Sequence, residues 1–217
     1  MHTDNQWFMA DELYAPYLYE AFSTQYELAP VLRFRSTQRM SKDFLETLGI
    51  KMEPETFHVV SHLMKCMSDD EKPHVFTYRT LNERLSDQSD EFILKLVSTP
   101  CLYVEKLNRF LYPIDLFWNN PRLGQFAYQV PQELGRFREL LTFLGVREEP
   151  ELEDFVRVIF STIKYGSLLE QSDDVFKIYE YCLVQIRKAF DDLPDALLMQ
   201  LRDTQCLVSV TGDLAYP

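Results

Sequence analysis

Glycine is scarce in this chain, at six in 217 residues, and no run of eighteen apolar residues occurs. The N-terminus also lacks the basic and then apolar layout of a signal peptide. Together these absences predict a soluble, unexported protein without a membrane span. The four cysteines, Cys66, Cys101, Cys182 and Cys206, include no CxxC pair, and there is no N-glycosylation sequon, so neither a disulfide scaffold nor a zinc site is expected. Reduced, mostly buried thiols are the expectation. Basic residues are outnumbered, leaving a formal charge of −12. That balance opposes counterion-release binding to nucleic acid and repels anionic lipid, so neither nucleic acid nor membrane is an expected partner. Residues 1 to 30 hold Asp4, Asp11, Glu12, Glu20 and Glu27 but no lysine or arginine, and Arg33, Arg35, Arg39 and Lys42 follow at once. Two solvated faces, rather than a polarised docking surface, are expected from this asymmetry.

What is present is a large apolar fraction, 46%, enough for a real core and too much for disorder. The pattern predicts helices near 40 to 48, 54 to 67, 74 to 85, 89 to 97, 132 to 144, 151 to 165, 172 to 190 and 194 to 202, with glycines at 49, 145 and 166 as stops. Two of these helices belong to segments that align without a gap at a shift of 96, "LGIKMEPETFHVVSHLMKCM" from Leu48 and "LGVREEPELEDFVRVIFSTI" from Leu144. Leu152, Phe155, Val156, Ile159, Phe160 and Ile163 fall at helical spacing in the second. Val59, Val60, Leu63, Met64 and Met67 form the corresponding stripe in the first.

A second match, at a shift of 105, pairs "DEFILKLVSTPCL" from Asp90 with "DALLMQLRDTQCL" from Asp195. Each continues to Tyr-Pro, at Tyr112-Pro113 and Tyr216-Pro217, through what reads as two short strands around a turn, with Thr211-Gly212-Asp213 as the second turn. The N-terminal "QWFMADELY" is similar to "NRFLYPIDLF", the hairpin's second strand and its acidic exit. The expected fold is therefore α+β and mainly α-helical, two tandem repeats of helices each ending in a small β-hairpin. The first repeat occupies residues 1–110 and the second 111–217, and both termini read as cuts from something longer.

The order of elements resembles the repeats of sacsin and sacsin-like proteins. The matching features are the apolar helix before Pro-Cys-Leu at residues 100 to 102, the exit at Pro113, Asp115, Leu116 and Phe117, and Leu-Gly-Val before the next helix. Copy two departs at residues 204 to 206, with Thr-Gln-Cys in place of Thr-Pro-Cys. The resemblance implies a large cytoplasmic, chaperone-associated protein whose repeats follow an ATP-binding domain similar to that of the ninety-kilodalton heat-shock proteins. No helix with a nucleotide-binding Asn, no Asp-x-Gly with a glycine-rich lid and no GxxxxGK[ST] occurs in this sequence.

Candidate chemistry is thin. His58 and His62 have the spacing of two metal ligands on a helix, but their counterparts are Asp154 and Val158, an acid expected to face solvent and an apolar side chain. Val59 breaks the HExxH protease pattern. Cys101 and Cys206 occupy matching strand positions, as core residues do, and neither has an evident base. Asp69-Asp70, Asp173-Asp174 and Asp191-Asp192 are expected at turns and helix starts. The N-terminal aromatics Trp7, Phe8, Tyr14, Tyr17, Tyr19, Phe22 and Tyr26 are expected to pack on their own helices rather than form a partner groove, as Phe110, Phe117, Trp118, Phe126 and Tyr128 would in copy two. No catalytic, cofactor-binding or metal residue is assigned. The expected role is a non-catalytic interaction or scaffold module with a protein partner, the rival being an accessory domain of an enzyme whose catalytic part lies elsewhere.

Overall fold

The computed structural model of the chain describes residues 8–18, 31–32, 40–85, 91–164, 173–208 and 214–216. These are mainly helical. Helices α1 (Lys42–Thr47), α2 (Thr56–Asp69), α3 (Val75–Glu83) and α4 (Glu91–Leu94) lead to an antiparallel hairpin of β1 (Leu102–Val104) and β2 (Arg109–Leu111). A short parallel pair follows, β3 (Leu116–Phe117) and β4 (Tyr128–Gln129). Helices α5 (Gln132–Gly135), α6 (Arg138–Phe143), α7 (Leu152–Lys164), α8 (Asp173–Lys188) and α9 (Asp195–Arg202) then lead to a second antiparallel hairpin, β5 (Leu207–Val208) and β6 (Leu214–Ala215). No helix among the described residues is long and apolar enough to cross a membrane.

The helices sit where the periodicity places them, with two adjustments. The helix expected over 89 to 97 is regular only over Glu91–Leu94 and continues as turns. The one expected over 132 to 144 is two helices, because Gly135 is a poor helix former and Phe137 leaves helical geometry at φ −101°, ψ 44°. The break aims the first turn of α6 at a partner: the Leu140 N–H donates to Asn82 Oδ1 at 3.0 Å. The parallel pair was not expected, since two-residue strands carry no period. Gly166 and Thr211-Gly212-Asp213 lie outside the described residues.

The chain forms two compact units, Met1–Pro113 with Leu134–Gly145, and Ile114–Glu133 with Val146–Pro217. In the first, α2 packs against α3 and α4, and α3 against α6. In the second, α7 lies along α8 over a core that includes Phe117, Leu123, Val156, Ile159, Tyr179 and Cys182. Both Leu-Gly dipeptides stop a helix. Gly49 at φ +82° and Gly145 at φ +105° follow α1 and α6 in the left-handed region, where a residue without Cβ carries no steric penalty.

The buried face of α7 contains Phe155, Val156, Val158 and Ile159, with Leu152, Phe160 and Ile163 partly buried around it. On α2 the buried face is Val59, Val60, His62, Leu63 and Cys66, while Met64, expected in the stripe, is exposed. The face has rotated toward His62 and Cys66, and a flexible thioether tolerates the exposure it leaves. Because Ile159 is fully buried, Ile159→Ala should destabilise the protein by about 2 to 5 kcal/mol, read as a lower denaturation midpoint at unchanged denaturant slope.

Candidate docking surface

Burial governs the chemistry of His62 and of the cysteines. His62 is buried on α2 with the Cys66 sulfur 3.6 Å from its Nε2. Burial, helped by nearby His74, pulls the imidazole down to about 4, and burial pushes the Cys66 thiol up to about 11. A nucleophilic cysteine needs the opposite pair of shifts, thiolate beside imidazolium. The contact is therefore between a neutral thiol and a neutral ring. Burial likewise pushes Cys101 and Cys182 up to about 12, and all four cysteines are buried free thiols. His58 points elsewhere, its Nδ1 2.6 Å from the Tyr14 hydroxyl.

The counterpart of His58 corrects an expectation. Asp154 does not face solvent: it is buried, accepts from the Glu151 N–H at 2.9 Å, and pairs with Arg147 at 2.6 Å and Arg157 at 3.3 Å. Arg157 also pairs with Asp115, while its Nε is buried without an acceptor. A buried carboxylate is tolerable only with such partners. At the matching place in the first unit the Glu55 N–H donates to the Tyr14 hydroxyl at 3.3 Å, and Lys51 pairs with Glu55 at 2.6 Å. Of the acidic pairs, Asp173-Asp174 opens α8, Asp191-Asp192 lies in a 3-10 turn, and Asp69 ends α2 with Asp70 as its left-handed cap. Among the N-terminal aromatics, Tyr14 is fully buried, whereas Tyr17 is exposed and donates to the Met52 carbonyl; Trp7, Tyr19, Phe22 and Tyr26 lie outside the described residues.

Several hydrogen bonds recur in both units. The Tyr78 hydroxyl on α3 donates to the Cys101 carbonyl at 2.9 Å and accepts from the Tyr103 N–H at 2.9 Å; the Tyr179 hydroxyl on α8 donates to the Cys206 carbonyl at 2.5 Å. Cys101 Sγ donates to the Leu96 carbonyl, and Cys206 Sγ to the Leu201 carbonyl, each at 3.4 Å. Near the start of each unit the Ala15 N–H meets the Lys51 carbonyl and the Leu32 N–H the Tyr14 carbonyl, both at 2.9 Å; the Trp118 N–H meets Arg147 at 2.9 Å and the Val130 N–H meets Phe117 at 2.8 Å.

Comparison of the chain with protein-family models, with curated proteins and with solved structures gave no match.

One feature with the dimensions of a binding site is an apolar groove of about 760 Å³ in the second unit, between α8, α9 and β5. Leu183, Ile186, Phe190, Leu198, Met199 and Leu207 line it, with Arg187, Arg202 and Asp195 supplying charge. Its size and apolar character fit a docked side-chain cluster rather than an ion. Sequence periodicity missed it, because Leu183 and Leu198 read as core positions of α8 and α9. The available signal was that Asn82 of α3 falls opposite Leu183 when Tyr78 and Tyr179 are aligned.

Loss of a proton from His62 on folding makes stability depend on pH. The folded-state value lies below the ordinary 6.5, so its contribution is complete above about pH 6.5 and is lost as pH falls toward about 4. His62→Val, which installs the residue found at Val158, should remove up to about 3 kcal/mol of that acid sensitivity, measured as the difference in unfolding free energy between pH 7 and pH 4.

Proposed function

We propose that the chain is a non-catalytic protein-interaction or scaffold module of two tandem helix-and-hairpin repeats, belonging to a larger, cytoplasmic, chaperone-like protein of the sacsin-like kind. The single observation that carries the repeat is the tyrosine tie: a helix tyrosine bonded to the carbonyl of the cysteine that opens a hairpin, at Tyr78–Cys101 and at Tyr179–Cys206. The paired cysteine bonds, the Leu-Gly helix stops and the paired backbone bonds of Tyr14 and Phe117 support it. The repeat boundary near residue 110 divides sequence, whereas the compact units divide packing, so Leu134–Gly145 belongs to the second repeat and the first unit.

The non-catalytic part rests on the chemistry of the candidate nucleophiles, whose thiols are buried and raised, and on the neutral state of His62. An accessory domain of a multidomain ATPase remains the second reading, favoured by the resemblance alone. A protein partner suits the apolar groove and the net charge of −12 better than nucleic acid or membrane does.

Two measurements test this. Tyr78→Phe and Tyr179→Phe each strand buried backbone groups and should each cost about 1 to 3 kcal/mol; a neutral result at either position would sink the equivalence. The chain should also show no thermal shift with ATP or zinc. A ligand at a hundred times its dissociation constant stabilises by about 2.7 kcal/mol, so a shift with nucleotide would overturn the non-catalytic assignment, and a zinc shift lost in His58→Ala would establish a metal site.

A further inference from the structure

The two units differ in what lies over their hairpin-side helices. In the first, Leu134–Gly145 packs on α3: the Phe137 ring lies tilted at 43° to that of Tyr78 with centroids 6.0 Å apart, and Asn82 accepts the N–H of Leu140. Leu140 and Leu144 of that segment are 0% and 2% exposed. In the second unit the corresponding surface, with Leu183 at the place of Asn82 and Cys206 and Leu207 at those of Cys101 and Leu102, is the open groove. Leu102 beside the covered surface is 0% exposed, and its counterpart Leu207 is 36% exposed.

The mirror-image deficit lies on α1. At the shift of 96, Leu140, Leu141 and Leu144 correspond to Phe44, Leu45 and Leu48. Leu45 is buried against Ala15 and Ile50, but Phe44 and Leu48, four residues apart on a second face, are 48% and 46% exposed. Asp43 and Glu46 flank this face, Glu46 pairing with Lys42 at 3.5 Å, while Arg187 and Arg202 border the groove with Asp195, so the donor face carries a net negative charge and the groove a net positive one.

We propose that α1 of a second copy of this chain docks in the groove of the second unit through Phe44 and Leu48, reproducing between molecules the contact that α6 makes on α3. The inference rests on the proposed equivalence of the two repeats. The donor face and the acceptor groove are different surfaces, so the contact is heterologous, and addition of copies does not stop at two unless a ring closes.

Sedimentation of the full chain from micromolar to millimolar concentration tests it. The wild type should pass beyond dimer mass, and Phe44→Asp or Met199→Asp, both at exposed positions, should each weaken association by at least about tenfold. Mixing the two variants should restore association but halt it at a one-to-one complex, since each retains only one of the two surfaces. A wild type that stays monomeric, association that survives either variant, or a mixture that fails to pair overturns the proposal. A labelled peptide of residues 130–147 separates this from failure of the repeat: if it binds the wild type and not Met199→Asp while the wild type stays monomeric, the repeat stands and the second copy falls. If neither peptide nor second copy binds, the equivalence of the two surfaces falls with it.

Discussion

A buried tyrosine hydroxyl ties each hairpin to the helix beneath it. Strands of three residues or fewer are marginal on their own, and the backbone at the start of β1 is buried, where an unpaired N–H or carbonyl is costly. A phenol both donates and accepts, so Tyr78 satisfies the Cys101 carbonyl and the Tyr103 N–H with one group. The remaining architecture of the first unit follows from that placement. With the hairpin fixed on α3, the ring of Tyr78 lies against that of Phe137, and α6 is held by Asn82 one turn further along.

Much of the fold was legible because it is written in short-range signals. Helical apolar spacing located α2 and α7, and Leu-Gly marked the ends of α1 and α6 because a left-handed cap favours glycine. The hairpins were legible from the repeated Cys-Leu and Tyr-Pro. What stayed hidden depends on which faces tertiary packing covers. Asp154 reads as a solvated acid although Arg147 and Arg157 lie only seven and three residues away, because that spacing supplies partners without saying that the turn is buried. The groove was invisible for a related reason: an apolar stripe predicts that a face is covered, not what covers it.

The two units also meet the same backbone requirement with different chemistry. The first N–H groups of α2 and α7 need acceptors. Near α7 the acceptor is a carboxylate, Asp154, balanced by arginines; near α2 it is a phenol, Tyr14, bonded to His58. Each solution requires its own neighbours. Exchanging Asp154 and His58 alone would leave two arginines without their anion in one place and, in the other, put a carboxylate where a ring meets the Tyr14 hydroxyl and Lys51 is already paired with Glu55. The histidine that invites a metal assignment is thus explained by the hydroxyl it meets.

The path of the chain carries a consequence for biosynthesis. The first compact unit draws on Met1–Pro113 and again on Leu134–Gly145, with residues 114 to 133 of the second unit between them. A ribosome delivers residues in order, so the tyrosine-tied hairpin can close on its helices early, but the surface of α3 around Asn82 waits until Gly145 has emerged. During that interval an apolar surface of the nascent first unit stands uncovered, with the exposed face of α1 already present on the same chain.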